Sequence, residues 1–558
     1  MRQRWIACII GTLFLFTSAS AQAVDTEDEQ IFPWTKIPAN TSAVQFYTPS
    51  SMNYNPFIHA EFKKLCTSVD DPHCADMKWV QYSTYLGPCT TASDTDCIEN
   101  FSAKLPDGNI ATSTLDVLQP QVPAPGFAAD PARTLPAAHM PVVYDIAQAA
   151  HTSGNKYMVG VFISGRTDEN GKGGKSSFGA FNRGILNFNV YAVSEEKDSK
   201  YQGSITQESE GYGVTGGGTG EQEGCALAEK GICWRTRTLP SDISYSVTVR
   251  LRVAPPGWLF GRTVDPQISV ENVSGVGEKW SISAKAIKTA YIWGYASNDK
   301  LPPGHDAWLA AQPIRTIPVW DDKNPAILYR VHSPLGGPGG GDGSKETFDA
   351  FNHWIPIIGD KASANPSMWS FRTIQPQELN NIGPCFQSSN KLLGVVTTNS
   401  MLSMAGPPTF DKNSGSLDYQ VASPHLMRTG DLFLGTYDLV MRSETARCLY
   451  NFSNAPVEAS ISVTNAEGTS VNATKIVNEK DGWLHLGAYG FTFSSPKIAV
   501  KLSQAPVIAP TPAPTSVKQV PQNAPAKKTM TSITCVKGKT KKIVTGAKPK
   551  CPVGYKVS

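Results

Sequence analysis

Apolar and polar side chains alternate along much of this chain. From residue 243 to 253, Ile243, Tyr245, Val247, Val249, Leu251 and Val253 fall on one side, with Ser244, Ser246, Thr248, Arg250 and Arg252 on the other. Six apolar positions at period two predict a strand with one buried face and one wet face. Shorter runs at 157–163, 185–193, 327–331, 392–398 and 432–441 predict further strands. Four more lie at 457–463, 471–477, 483–493 and 498–502, punctuated by turn residues at Asn465-Ala466-Glu467-Gly468 and Lys480-Asp481-Gly482. Strands at that spacing predict an antiparallel meander belonging to a sandwich or barrel. One helix is expected near the start. Asn55 is placed to cap it, Pro56 suits its first position, and Ile58, Phe62, Leu65 and Cys66 form a stripe.

The expected fold class is all-β. Two β-sandwich-like (Ig-like) domains stand in tandem over 141–300 and 301–503, after a small cysteine-stapled N-terminal region over 24–140. Six prolines between Gln119 and Pro141 mark the first boundary, and Pro302-Pro303-Gly304 lies in the hinge expected between the two halves. Prolines at 506, 510, 512, 514, 521 and 525 make 504–530 a semi-rigid linker. Residues 531–558 form a tail, either disordered or a small module.

Residues 1–23 have the three parts of a signal peptide. Arg2 and Arg4 precede an apolar stretch from Trp5 to Phe16, and Ala21-Gln22-Ala23 offers small residues for cleavage after Ala23. The expected location is therefore secreted, extracellular or at the cell surface. No later stretch is apolar for long enough to predict a transmembrane segment in the mature chain. Ten cysteines lie beyond residue 23, an even number suited to an oxidising compartment. Cys66 and Cys74, Cys89 and Cys97, and Cys225 and Cys233 are each separated by seven residues and predict local disulfides. Cys385 with Cys448 is left as a long-range pair, and Cys535 with Cys551 closes a small loop. No pair has the C-x2-4-C spacing of a zinc site, so no metal is expected.

Charge is unevenly distributed. Nine lysines and no acidic residue lie between 526 and 558. Removing these and the two arginines at 2 and 4 from the net charge of +3 leaves about −8 on residues 24–525. A body of that sign disfavours nucleic acid as a partner.

The tail runs Ile533-Thr534-Cys535-Val536-Lys537-Gly538-Lys539, then Lys548-Pro549-Lys550-Cys551-Pro552-Val553-Gly554-Tyr555-Lys556. It resembles the lysine-rich cysteine-pair module that closes many secreted actinobacterial proteins after a Pro/Ala-rich spacer. Around Gly257-Trp258-Leu259-Phe260-Gly261-Arg262 and Asp481-Gly482-Trp483-Leu484 the body is similar to uncharacterised secreted β-rich proteins of that group. The resemblance implies no known activity and assigns no functional residue.

Candidate chemistry is sparse. The segment 175–179 has lysine where a nucleophile elbow needs its first glycine. In 169–176, glutamate stands where a phosphate loop begins. The nine histidines form neither H-x-H nor H-E-x-x-H, and no catalytic residue or cofactor is expected, although a triad assembled from distant residues stays open. Asp411-Lys412-Asn413-Ser414-Gly415-Ser416-Leu417-Asp418 departs from a calcium loop and predicts an Asx turn. The glycine run 336–343 predicts a loop.

Two features suggest binding. Tyr291, Trp293 and Tyr295 alternate on one strand face, after Trp258 and Trp280, and would stack on sugar rings if exposed or fill a core if buried. In the tail, Lys537, Lys539, Lys541, Lys542, Lys548 and Lys550 would attract wall polymers or anionic head groups. The function expected is a secreted or envelope-associated, non-enzymatic binding or adhesion protein, with anionic cell-wall polymers or glycans as partners. A secreted polysaccharide hydrolase and a structural surface-layer protein are the alternatives.

Overall fold

A computed structural model describes residues 40–47, 56–60, 64–72, 78–122, 126–168, 182–199, 201, 205–208, 211–214, 224–311, 316–319, 326–332, 345–374, 383–387, 391–404, 406–453, 457–464, 473–493, 497–504, 531–546 and 548–558. The expected signal peptide at 1–23, the glycine-rich segments at 169–176 and 336–343, and the proline-rich stretch from 505 to 530 lie outside the described residues. Strands hold 55% of the described residues and helices 10%, which establishes a β-rich fold built from several sheets. No helix among the described residues is long and apolar enough to cross a membrane. The chain forms two compact units, 1–505 and 506–558.

One long sheet organises the larger unit. Its main path runs Lys64–Cys66, Phe57–Ala60, Trp79–Tyr85, Lys156–Asp168, Asn182–Lys197, Ser370–Thr373, Gly257–Arg262, Leu392–Thr398, Leu434–Arg442, Trp483–Thr492 and Thr474–Lys480. Neighbours along this path are antiparallel except Gly257–Arg262 and Leu392–Thr398, which are parallel. The strand 257–262 sits between 370–373 and 392–398, so strand pairing does not separate the expected halves at residue 300. Nor does 24–140 stand apart from the first sandwich, since Tyr82, Phe101, Ala103, Phe127 and Leu135 share a core with Tyr157, Tyr245 and Trp280.

Two cores form on opposite faces of this sheet, each closed by a second sheet. On one face, Tyr157, Val159, Val161 and Ile163, with Leu186, Phe188 and Val190, pack against Phe101, Tyr245, Val247, Val249, Trp280 and Ile282. These last residues come from a five-stranded sheet ordered Val264–Val273, Gly277–Lys285, Ser244–Leu251, Cys97–Lys104, Ile110–Thr112. The alternation is borne out over Ser244–Leu251, where Tyr245, Val247, Val249 and Leu251 are fully buried and Ser244, Ser246 and Arg250 half-buried. Thr248 is buried as well, and Val253, expected on the buried face, lies past the strand end and is 42% exposed. On the other face, Leu439, Met441, Leu484, Leu486 and Ala488 pack against Tyr419, Val421, Ile461, Val463, Ile498 and Val500. The Gly257–Arg262 strand feeds both cores, Leu259 entering the first and Trp258 and Phe260 the second.

The structure corrects two local expectations. Residues 457–502 do not form a single meander. Val457–Thr464 pairs with Lys497–Gln504 in the covering sheet, while Thr474–Lys480 and Trp483–Thr492 pair in the long sheet. Val457–Thr464 and Trp483–Thr492 each bury an apolar face, so the chain crosses between layers and closes the core from both sides, with Thr474–Lys480 left exposed at the sheet edge. The predicted turn at 480–482 is present, with Asp481 and Gly482 at φ 51° and 78°, as a two-residue hairpin requires. Near the start, Phe57–Ala60 and Lys64–Cys66 are strands rather than a helix. Phe57–Ala60 pairs along Trp79–Tyr85, so its backbone groups are satisfied across strands instead of within one short helix.

The disulfides Cys89–Cys97, Cys225–Cys233, Cys385–Cys448 and Cys535–Cys551 are present as expected. Cys66 is disulfide-bonded as well; Cys74 lies outside the described residues.

Candidate functional site

The aromatic row is split by the fold. Ile292–Ser297 pairs antiparallel with Thr41–Tyr47, setting Trp293 opposite Gln45 and Tyr295 opposite Ala43. Ile292 and Gly294 take the other side of the strand, where a Cβ on Gly294 would come within 2.7 Å of Ile358 Cβ in the helix Lys345–Ile358. Trp293 and Tyr295 therefore share the face turned away from that helix. Trp293 is half-buried and Tyr295 is 45% exposed. The Ser363 hydroxyl fixes the backbone there, accepting from the Trp293 N–H at 3.0 Å and donating to its carbonyl at 3.1 Å. Tyr291 is half-buried just before the strand, its backbone bridged to Ala364.

Trp258 does not join this row. It is fully buried in the second core, and its indole N–H donates to the Phe386 carbonyl at 3.0 Å, beside the Cys385–Cys448 bridge. Trp280 is likewise core, donating to Glu278 Oε2 at 2.6 Å. The loop at 411–418 is an Asx turn. Asp411 Oδ1 accepts from the Asn413 N–H at 2.9 Å and Oδ2 from the Ser414 hydroxyl at 2.7 Å. These bonds favour the charged form and hold the Asp411 carboxyl below its ordinary pKa.

Two clusters have no counterpart among the sequence motifs. In the first, the fully buried Asp438 carboxylate is met by His485 Nε2 at 2.8 Å, by the Tyr489 hydroxyl, by the Thr397 hydroxyl at 3.3 Å and by the Asp265 N–H at 3.3 Å. Burial and the nearby Asp438 charge raise the Tyr489 pKa, so this phenol keeps its proton and donates it to the carboxylate. Asp265 belongs to the sheet over the first core and Asp438 to the long sheet behind the second. The cluster therefore ties the two sandwiches together. All four of these groups belong to the fold itself, which is the arrangement of a structural joint.

In the second cluster, His305 Nδ1 and His353 Nε2 lie 3.0 Å apart, and Trp308 stacks on the His353 ring at 3.9 Å. Burial lowers the pKa of both histidines, and His305 lowers that of His353 further. Neither cluster shows a local motif, because its members are 47 and 48 residues apart. Among the described residues, no three His, Cys, Asp or Glu side chains converge to hold a metal ion.

The tail is a folded module. Thr531–Lys537 lies between Thr540–Gly546 and Lys556–Val557 in a three-stranded antiparallel sheet. The Cys535–Cys551 bridge closes it around the buried Cys535, and Lys542 Nζ sits 5.5 Å from the centre of the Tyr555 ring. Lys537, Lys539, Lys541, Lys542, Lys548, Lys550 and Lys556 are all exposed, and the module contains no acidic residue. The six lysines singled out from sequence are therefore all carried, exposed, on one small folded module. No family model, curated protein or solved structure matches the chain.

Proposed function

We propose that this is an exported, non-enzymatic binding or adhesion protein of the cell envelope. Its β-rich body presents a recognition surface, and its cationic tail contacts the anionic cell envelope. The observation that carries the reading is the tail: seven exposed lysines on a disulfide-closed sheet with no acid to neutralise them. A folded scaffold holds those charges at fixed spacing, which strengthens attraction to a polyanion relative to a floppy run of the same charge. The disulfides suit an oxidising location. On the body, half-buried Trp293 and exposed Tyr295 share one strand face, an aromatic pairing that suits a glycan.

Deleting residues 526–558 tests the reading. The truncated protein is expected in the medium and the full chain on the envelope. Equal partitioning of the two would refute it.

A further inference from the structure

We infer that the open face of the tail sheet docks on an anionic lipid surface, an inference that rests on the cationic-tail reading and names its partner more narrowly. Strand register defines the face. Val536 lies opposite Lys541 on one side and Lys556 on the other, so the two lysines flank an apolar side chain across three strands. Two residues along, Ile543 stands opposite Thr534 on the same face, and beyond it the Ser532 and Thr545 hydroxyls are hydrogen-bonded at 2.7 Å. The opposite face carries Cys535, Lys542 and Val557 and is the side closed by the disulfide.

The open face therefore combines cations with an isoleucine that is 74% exposed. Val553, in the loop before Tyr555, is fully exposed too. A soluble polyanion satisfies lysines but gives an exposed isoleucine nothing. A bilayer surface satisfies both. Phosphate head groups meet the ammonium groups while the apolar tip enters the boundary with the acyl chains, the lysine stems lying along it. Charge complementarity, with exposed Ile543 and half-buried Val536 beside Lys541 and Lys556 on one sheet face, favours the lipid surface over a wall polymer, although the opposite face also exposes an apolar residue, Val557 at 63%.

The test uses the full chain with two probes: vesicles of phosphatidylcholine containing phosphatidylglycerol, and inorganic polyphosphate. Binding to the anionic vesicles and not to pure phosphatidylcholine is expected. Lys541→Gln and Lys556→Gln should each weaken vesicle binding about fivefold. Ile543→Ser should weaken it at least threefold while leaving polyphosphate binding unchanged, and Ile543→Leu should retain it. Polyphosphate binding without vesicle binding, or vesicle binding unaffected by Ile543→Ser, overturns the lipid assignment and leaves the cationic-tail reading standing. Binding to neither probe overturns both.

Discussion

The two sandwiches share a sheet and an architecture but hold together differently. The first is stapled by short-range bridges, Cys89–Cys97 and Cys225–Cys233, each spanning eight residues. Its core centres on tyrosine hydroxyls, with Tyr157 donating to the Ala149 carbonyl and the Tyr245 hydroxyl 3.5 Å away, and its buried Asp116 carboxylate is met by the Lys156 ammonium at the edge. The second is stapled by Cys385–Cys448, spanning 63 residues, and its buried charges, Arg262 and Asp438, are held by hydrogen bonds deep inside the fold. The Arg262 guanidinium is fully buried against Phe260, donates to the Thr398 and Met401 carbonyls at 3.1 Å, and is pushed down to about 9 by burial. The buried Asp438 then joins this half to the first. One architecture can thus be filled by local apolar alternation or by long-range polar constraints. The second solution is more exposed to single changes, because each buried polar group depends on partners it cannot replace.

The largest effect should come from breaking the joint. Asp438→Ala leaves His485, the Tyr489 hydroxyl and the Asp265 N–H without their acceptor and should cost about 3–5 kcal/mol. Urea unfolding followed by tryptophan fluorescence should also lose its single transition as the halves uncouple. A loss below about 1 kcal/mol would mean that the joint is incidental.

Disulfide removal sharpens the contrast next. Chain entropy predicts that Cys385→Ser with Cys448→Ser costs about 4 kcal/mol, and that Cys225→Ser with Cys233→Ser costs about 2.5 kcal/mol. Equal costs, measured by denaturant midpoint at constant slope, would remove the distinction between long-range and local staples. Smaller again is Tyr157→Phe in the first core. It removes the donor to the Ala149 carbonyl at a cost of about 1 kcal/mol, well below that of Asp438→Ala.

The same contrast explains what the sequence could show. The first sandwich is legible because its signals are local: the alternation at 243–253 and the evenly spaced cysteine pairs each span a dozen residues or fewer. The lysine-rich tail is legible for the same reason. Asp438 and His485 pair only because their strands are neighbours in the long sheet, and neither residue looks unusual in its own segment. The change of sheet between Val457–Thr464 and Thr474–Lys480 is hidden because nothing in either segment's own sequence says which sheet it joins. The helix Lys345–Ile358 does leave a trace. Phe348, Phe351 and Trp354, all buried, repeat at helical spacing, a signal easily lost in a chain whose dominant period is two. Trp258 misleads for a different reason: a glycine-flanked tryptophan reads the same whether it faces solvent or fills a core.

The smallest expected effect is on pH dependence, and it too should fall on the second half. His305 is buried with its Nε2 lacking a hydrogen-bond partner, its Nδ1 bound to His353 and Trp354 edge-on at 5.0 Å. Burial favours the neutral rings and holds both pKa values below the ordinary 6.5, with the Asp306 charge opposing this only at His305. Below pH 6.5 the unfolded chain takes up protons that the folded pair resists. Stability should therefore fall as pH drops through that value and level off once it passes below the folded pKa, with no contribution from the pair above 6.5. In the first core, the Tyr144 and Tyr245 phenols are raised by burial and so stay neutral throughout this range. Melting temperatures measured from pH 7.5 to 5 should decline for the unmodified chain and decline less for His353→Gln. If the two profiles run parallel, the histidine pair is not the source of the acid sensitivity, and buried titratable charge no longer distinguishes the second sandwich in this pH range.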